Sequence, residues 1–312
     1  RVDDDLAGFA SVEVLLEALE VRFLANRDDH LHFGLLTDFP DAATEICPED
    51  EARLQQLGQG IQTLNAQYPG SGGDRFFLFH RPRRWNPQEQ VWMGHERKRG
   101  KLADLNALLR DDARDRFMRV VCDTDILTAV RYVITLDTDT QLPRDAAREM
   151  VGAMAHPLNR GHYDHQQQRV GEGHGILQPR VAISLPSLNR SRYARLHGGD
   201  AGLDPYTRAV SDVYQDWFQE GSFIGKGIYD VEVFEQALAG RFPDNRILSH
   251  DLLEGCYARA GLLSDIQLFE DYPACYSDDV ARRHRWIRGD WQIARWLLPR
   301  VPDHSGQQRP NP

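Results

Sequence analysis

The sequence is poor in cysteine, in long apolar runs and in positive charge. Its four cysteines, at positions 47, 122, 256 and 275, form no C-x-x-C pair. Their spacing excludes a disulfide framework and a zinc knuckle, and it indicates free thiols in a reducing compartment. No apolar run is long enough to span a bilayer. Because 47 acidic side chains outnumber 37 basic ones and give a net charge of −10, a nucleic-acid partner is not expected.

What is present is typical of a globular enzyme. The 312 residues contain 41% hydrophobic and 27% charged side chains, which excludes disordered, collagen-like and coiled-coil classes. Since no internal repeat or clear linker interrupts the chain, we predict a single domain over residues 1–312. We expect a helical lead-in over 1–30 and a polar tail over 300–312. The missing initial methionine leads us to expect a piece excised from a larger protein.

Helical and strand patterns alternate along the chain. Residues 11–25 have apolar side chains at helical spacing, with Ser11 as the candidate N-cap. The other predicted elements are a helix over 49–67, strands over 31–38, 75–81, 131–139 and 176–186, a long loop over 156–175, and mainly helix from 206 onward. This alternation predicts an α/β fold with a mostly parallel sheet. Such sheets bind ligands at the carboxyl ends of their strands, where Asp38, Asp137 and Asp139 fall.

The most informative motif is Y-V-I-T-L-D-T-D-T-Q-L-P over residues 132–143. An apolar strand leads to Asp137 and Asp139, which are two residues apart and would point to the same side of an extended backbone. Two such carboxylates suit Mg²⁺ or Mn²⁺ carrying a nucleoside diphosphate. The plainer interpretation is a strand that ends in two solvated acids.

The same letters fit a second chemistry. Haloacid-dehalogenase-type phosphatases present an aspartate nucleophile and a Mg²⁺ ligand as D-x-D-x-T after an apolar strand, and Asp278 and Asp279 could serve as their later acidic pair. Such enzymes usually have the motif on their first strand, whereas two strands are predicted before it here. A sugar-binding domain without turnover is a third interpretation, although a passive binder needs neither a metal pair nor a base.

Basic residues gather in two further segments. Arg97, Lys98, Arg99 and Lys101 surround Gly100 in a predicted flexible turn just before a helix. Such a turn suits a diphosphate, or it is simply a solvated loop. The second segment combines arginine, which neutralises phosphate, with tryptophan, which stacks on sugars. It contains Arg282, Arg283, Arg285, Arg288, Trp286, Trp291 and Trp296, and it could equally be an amphipathic helix with a tryptophan-lined packing face.

Asp251 is a single acid between a predicted short apolar strand and a predicted helix. An aspartate in this position is commonly an N-cap. It becomes a candidate general base if the fold brings it opposite Asp137 and Asp139.

Taken in order, six segments resemble the processive, membrane-bound glycosyltransferases of the cellulose-synthase type. They are LLTDFPDA, GHERKRGKLADLN, YVITLDTDTQLP, FQEGSFIGKG, ILSHDLLEG and RRHRW. The lead-in ALEVRFLANRDDHLHFGLLTDFPDA and the segment RRHRWIRGDWQ resemble the glycosyltransferase domain of bacterial cyclic β-1,2-glucan synthases in particular. The resemblance covers nearly the whole chain and implies a GT-A-type, Rossmann-like α/β fold.

The resemblance also implies roles for individual residues. Asp38 would contact the uridine, Lys98 the diphosphate, and Asp137 and Asp139 the UDP and its metal. Asp251 would be the base. The remaining implied contacts are Arg282 and Arg285 with UDP, and Gly221, Ser222, His250 and Trp286 with the acceptor or donor sugar. The sequence departs from the wider pattern at Arg282, where Q-x-x-R-W has glutamine, and at Ser249-His250-Asp251, where the pattern has T-E-D.

The implied activity is transfer of glucose from UDP-glucose to O2 of a growing β-1,2-glucan, with Mg²⁺ or Mn²⁺ as cofactor. Because UDP-glucose is α-linked, a β product requires inversion. The resemblance further implies a place at the cytoplasmic face of the bacterial inner membrane, between transmembrane helices and upstream of a phosphorylase-like domain. It suggests glucan growth on the protein itself, and Tyr68, beside a predicted turn, is our candidate for the first acceptor.

Overall fold

A computed structural model describes residues 11–198, 213–247 and 249–311. The chain divides into two compact units, residues 1–130 and 131–312, and each unit is described by itself. The single domain over 1–312 stays a prediction. Part of the lead-in (1–10) and part of the predicted helical region (206–212) lie outside the described residues.

The first unit contains a three-stranded sheet in the order β1-β2-β5, covered by helices. Its helices are α1 (Val12–Ala25), α2 (Asp50–Gln67) and α3 (Arg97–Asp111), and its strands are β1 (Phe33–Asp38), β2 (Phe76–Arg81), β3 (Arg84–Asn86), β4 (Val91–Met93) and β5 (Arg119–Val121). Strands β1 and β2 are parallel, β2 and β5 antiparallel. Strands β3 and β4 form a separate hairpin.

Helix α1 confirms the predicted amphipathic helix. The Ser11 hydroxyl accepts a hydrogen bond from the Val14 amide at 3.4 Å, so it satisfies one of the amide groups that the first turn leaves without a partner. The side chains at positions 12, 15, 19 and 23 are buried on one face. Phe23 packs edge-on against Phe76 of β2, with ring centroids 5.1 Å apart. This contact fixes α1 over the sheet.

The second unit contains a four-stranded sheet in the order β11-β9-β10-β6. Its strands are β6 (Tyr132–Thr135), β7 (His162–Asp164), β8 (Arg169–Glu172), β9 (Ile176–Ile183), β10 (Gly227–Asp230), β11 (Ala260–Glu270), β12 (Arg300–Pro302) and β13 (Gln308–Pro310). Its helices are α4 (Ala146–Ala155), α5 (Leu185–Asn189), α6 (Arg192–His197), α7 (Val213–Phe218), α8 (Val231–Leu238), α9 (Asp251–Ala258) and α10 (Tyr276–Ile293).

The α/β class is confirmed, but the expected mostly parallel sheet is wrong for the described residues. In the four-stranded sheet only β9 and β11 pair in parallel, because β10 runs in the opposite direction between β9 and β6. All four residues of β10 are buried, so a glycine-containing segment of the region that we predicted to be mainly helical supplies a central strand. Its glycines concealed the strand pattern.

Two other regions also differ from expectation. The predicted loop over 156–175 contains the antiparallel pair β7–β8, and the region predicted to be helical contains the 11-residue strand β11. The tail over 300–312 contains a second hairpin, β12–β13. Among the described residues, no helix is both long and apolar enough to cross a membrane.

A candidate active site in the second unit

The loop after β6 carries Asp137 and Asp139. Strand β6 ends at Thr135, and the Thr140 amide donates a 3.1 Å hydrogen bond to the Asp137 carbonyl. The backbone therefore turns here, which corrects the expectation of an extended strand through both acids. The turn still brings the two carboxylates together.

A third carboxylate joins them from the end of β11. Gln141 and Phe269 exchange backbone hydrogen bonds of 2.7 and 3.3 Å, which hold the loop against this strand. The Thr140 hydroxyl then donates to Glu270 Oε1 at 3.2 Å. As a result, one oxygen each of Asp137, Asp139 and Glu270 lies within 4.8 Å of the others. We call these three residues the acidic cluster.

Lys226, directly before β10, provides a positive charge inside the acidic cluster. Its Nζ lies 3.2 Å from Asp137 Oδ2 and forms a second ion pair with Glu270, and its side chain is 12% exposed. Burial alone would lower the pKa of this lysine, but the carboxylates of Asp137 and Glu270 outweigh burial and raise it. Lys226 is therefore a permanent cation at neutral pH.

The acidic cluster fits a hard divalent cation. Mg²⁺ and Mn²⁺ prefer carboxylate oxygens, and the three carboxylates offer oxygens from two separate strand ends that a single ion can bridge. Asp139 is exposed and Asp137 is half-buried, so the cluster faces solvent from which a phosphate-bearing ligand can approach.

Asp251 belongs to a second group of side chains. It is the first residue of α9, and the neighbouring described residues form no strand, which corrects the apolar strand that we expected before it. His250 Nδ1 lies 3.5 Å from Asp251 Oδ1 and 2.9 Å from Glu254 Oε1. One imidazole nitrogen therefore faces both carboxylates, and it lies nearer to that of Glu254.

The segment before β10 connects the two groups. Gly225 has a positive φ of 86°, and a Cβ there would lie 2.8 Å from Asp251 Oδ1, so the backbone passes close to that carboxylate. The next residue, Lys226, reaches Asp137 and Glu270. The structure therefore brings the predicted base and the predicted metal ligands to adjacent residues of one segment.

The predicted acceptor residues Gly221 and Ser222 begin this segment. Both are half-buried, and the Gly221 amide donates a 2.6 Å hydrogen bond to the Ala260 carbonyl at the start of β11. The pair is thus attached to the same sheet as the acidic cluster.

Helix α10 carries the predicted arginine–tryptophan surface. The buried Asp279 accepts hydrogen bonds from Arg282 at 3.1 Å and Arg283 at 3.0 Å. Arg282 also lies over the Trp286 ring at 4.8 Å, while half of Trp286 stays exposed. Arg282 is therefore engaged within the helix and covers one face of the Trp286 ring, and the sugar contact of Trp286 stays a prediction.

Helix α10 also contains Arg285 and the acidic pair Asp278 and Asp279. Arg285 is half-buried. Asp279, which belongs to the later acidic pair of the phosphatase alternative, also accepts a 2.7 Å hydrogen bond from the Tyr193 hydroxyl. Burial would raise the pKa of Asp279, but the hydrogen bonds from Tyr193, Arg283 and Arg282 lower it. Asp279 is thus held as an internal counter-ion, and Asp278 precedes it in the first turn.

Asp38 ends β1 in the first unit, where it is almost completely buried. The side chain of Arg81, its partner in the β1–β2 register, binds both carboxylate oxygens at 2.8 Å, and Lys101 Nζ lies 4.0 Å away. Arg81 also pairs with Asp104 at 2.9 Å. Burial would lower the pKa of Arg81, but Asp38 raises it. The structure thus gives Asp38 a bidentate partner that the sequence analysis missed, and its contact with uridine stays a prediction.

The basic segment near Lys98 is helical rather than a flexible turn. Helix α3 begins at Arg97, preceded by Glu96 with a φ of 57°, so Lys98 lies in its first turn and is half-buried. Gly100 packs directly on the His95 carbonyl. The helix corrects the expected turn at this position. The diphosphate contact of Lys98 stays a prediction.

The Tyr68 side chain is half-buried, although its place beside a predicted turn favours an exposed ring. Its ring lies 5.0 Å from that of Phe23, and its hydroxyl donates a 2.6 Å hydrogen bond to Glu20 Oε1. This hydrogen bond raises the pKa of Tyr68. The role of Tyr68 as first acceptor stays a prediction.

A comparison with known proteins finds similarity over most of the chain. The cyclic β-(1,2)-glucan synthase NdvB of Rhizobium meliloti (strain 1021) is 46% identical over 288 residues, which is 92% of this chain. The chain belongs to the family of this synthase segment. It spans about 10% of the relative's length. No family model matches the chain. The resemblance drawn from the six motifs is confirmed.

Proposed function

We propose that this chain is an inverting glycosyltransferase that transfers glucose from UDP-glucose to O2 of a growing β-1,2-glucan. The observation that carries the proposal is the segment Gly225–Lys226, which contacts Asp251 through one residue and the acidic cluster through the next. A transferase of this kind needs a base near the acceptor and a compensated charge near the leaving diphosphate. Two adjacent residues of the segment contact the groups proposed for these two tasks. The 46% identical relative is a cyclic β-(1,2)-glucan synthase, which supports the proposed product.

The reaction is a single displacement. Asp251 accepts the proton of the acceptor hydroxyl, whose oxygen forms the new bond to C1 of glucose. The bond from C1 to the phosphate oxygen breaks, UDP leaves, and the configuration inverts from α to β. A bound Mg²⁺ or Mn²⁺ would supply charge stabilisation for the leaving diphosphate, held by Asp137 and Asp139, with Glu270 completing the set. Inversion fits an arrangement with one base and no second carboxylate needed as nucleophile.

Trp286 and the segment Gly221–Ser222 are proposed to contact the sugars, and Arg282 and Arg285 to contact UDP. His250 is proposed to orient the Asp251 carboxylate, because its ring is close to it. The contacts of Asp38 and Lys98 with UDP rest on the family resemblance. From the same resemblance we propose that the whole protein lies at the cytoplasmic membrane face, with transmembrane helices and a phosphorylase-like domain outside this chain.

The test compares two carboxylates that should fail in different ways. Asp139→Asn should lose affinity for UDP with Mn²⁺, because it removes a ligand charge. Asp251→Asn should bind UDP with Mn²⁺ as the unchanged chain does, yet transfer glucose more slowly by roughly two to four orders of magnitude, because it cannot accept the proton. Calorimetry and UDP release from UDP-glucose measure the two effects.

Asp265→Asn is the matched control, since Asp265 is exposed on the same strand as Glu270 and should leave both measurements unchanged. If Asp251→Asn loses UDP binding as fully as Asp139→Asn, the division into base and metal ligand is wrong. Hydrolysis of p-nitrophenyl phosphate without turnover of UDP-glucose would favour the phosphatase alternative instead.

A further inference from the structure

The proposed reaction gives Lys226 no contact with the donor or the acceptor sugar. Its place beside the carboxylates therefore needs an explanation of its own. Its ammonium group lies among the carboxylate oxygens that a divalent cation would use, 3.2 Å from Asp137 Oδ2 and ion-paired with Glu270. The side chains of Asp137 and Glu270 are only 27% and 18% exposed. Water therefore screens their mutual repulsion poorly, and a cation near them is needed in the absence of metal.

The charges suggest how Lys226 and a metal share this place. Three carboxylates and one ammonium leave a net charge of −2 on the acidic cluster with Lys226, which equals the charge that one divalent cation neutralises. An ammonium group beside the same oxygens repels an incoming cation. Lys226 thus has two opposing effects: it stabilises the acidic cluster without metal, and it weakens the attraction of the cluster for metal.

The backbone on both sides of Lys226 is fixed, so any movement of the ammonium must come from the side chain. Gly227, the next residue, pairs with Thr135 of β6, and the Thr135 hydroxyl donates a 3.2 Å hydrogen bond to the Gly225 carbonyl. The backbone at Lys226 is therefore held on both sides. Its side chain is a flexible four-carbon stem with a point charge at the end, so the charge can withdraw by side-chain rotation alone.

We propose that Lys226 is a positioning residue that keeps the acidic cluster assembled without metal and competes with a divalent cation for its carboxylates. The proposal rests on the proposed function, because it takes Asp137 and Asp139 as the metal ligands. It assigns to Lys226 a control of metal affinity: the cation binds as the ammonium withdraws, and the ammonium returns as the cation leaves.

The test measures binding of Mn²⁺ alone, by the loss of the electron paramagnetic resonance signal of free Mn²⁺. Lys226→Met should bind Mn²⁺ roughly tenfold more tightly than the unchanged chain, because the competing charge is gone. Lys226→Arg keeps the charge and should stay within about twofold. Arg131→Met is the matched control, since Arg131 pairs with Asp230 at 3.1 Å in the same unit and should leave Mn²⁺ affinity unchanged.

Thermal unfolding provides a second measurement. Lys226→Met should unfold at a lower temperature than the unchanged chain without metal, and saturating Mn²⁺ should reduce the difference. A simply structural lysine would lower the unfolding temperature without raising the affinity for Mn²⁺. Equal or weaker Mn²⁺ binding by Lys226→Met would overturn the proposal.

The outcomes also separate this proposal from the proposed function. If the unchanged chain binds Mn²⁺, Asp139→Asn loses it and Lys226→Met gains nothing, only the role of Lys226 fails. If neither the unchanged chain nor Lys226→Met binds Mn²⁺, the metal site itself fails, and with it both proposals. Should Lys226→Met not fold, the NMR signal of the Lys226 ammonium in the unchanged chain decides: it should shift on addition of Mg²⁺, and a signal that stays in place overturns the competition.

Discussion

Replacement of Asp38 by asparagine is expected to destabilise the first unit by about 3 kcal/mol. In the structure Arg81 binds both oxygens of Asp38 at 2.8 Å, and the two side chains are only 3% and 4% exposed. Breaking a buried ion pair by removing one partner costs about 3 to 5 kcal/mol, because the remaining charge is left without compensation. Since Asp104 still binds Arg81 at 2.9 Å and asparagine keeps one accepting oxygen, the lower end of that range applies.

Urea denaturation followed by circular dichroism measures this loss, with Glu49→Gln as the control. Glu49 pairs with Arg53 on the surface, where the side chains are 73% and 41% exposed, and such pairs contribute about 1 kcal/mol or less. A change below about 1 kcal/mol for Asp38→Asn would refute the reasoning. Loss of UDP binding with unchanged stability would instead favour the uridine contact.

Two further predictions concern single side chains in the first unit. Burial lowers the pKa of His80 to about 4. Below about pH 6.5 the unfolded chain therefore takes up a proton that the folded chain does not. The free energy of unfolding should fall by up to about 3 kcal/mol between about pH 6.5 and 4. His80→Asn should flatten this part of a pH–stability curve, and an unchanged slope would contradict a buried neutral imidazole. Tyr68→Phe should lower the free energy of unfolding by about 1 kcal/mol through the lost hydrogen bond to Glu20, measured in urea. Peptide mapping of active protein that finds no hexose on Tyr68 would remove it as the first acceptor.

Elements with a strong local pattern could be predicted from the sequence. The helix over 11–25 and the strands over 31–38 and 75–81 are observed as α1, β1 and β2 within a residue or two. In α1 the apolar spacing marks the buried face, whereas in β2 a continuous apolar run is buried at all six positions. The closeness of Asp137 and Asp139 could also be predicted, because the two acids are only two positions apart in the sequence.

Contacts between distant strands could not be predicted in this way. The role of Glu270 depends on the backbone pairing of Gln141 with Phe269, and that of Lys226 depends on β10 lying between β9 and β6. A lysine in a glycine-rich segment and an acid at the end of a long strand carry no local signal of the acidic cluster. The hint that the sequence does contain is a basic residue, Lys226, four positions after Ser222 in a matched motif.

The pairing of Asp38 with Arg81 shows the same limit. Both residues end strands that were predicted correctly, but only the parallel register of β1 and β2 places them opposite each other. Sequence spacing gives no access to that register. The charge pair is therefore visible only once the strands are aligned.

The central position of β10 has a consequence for how the site comes into being during folding. Residues 137, 226 and 270 meet only when β10 pairs with β6 and β11 pairs with β9, and such contacts between distant parts of a chain form slowly. Lys226 directly precedes β10, the strand that lies between β6 and β9, so a positive charge enters as soon as the carboxylates approach one another. The folding chain thus meets the repulsion of its own acidic cluster with a built-in counter-charge, before any metal is required.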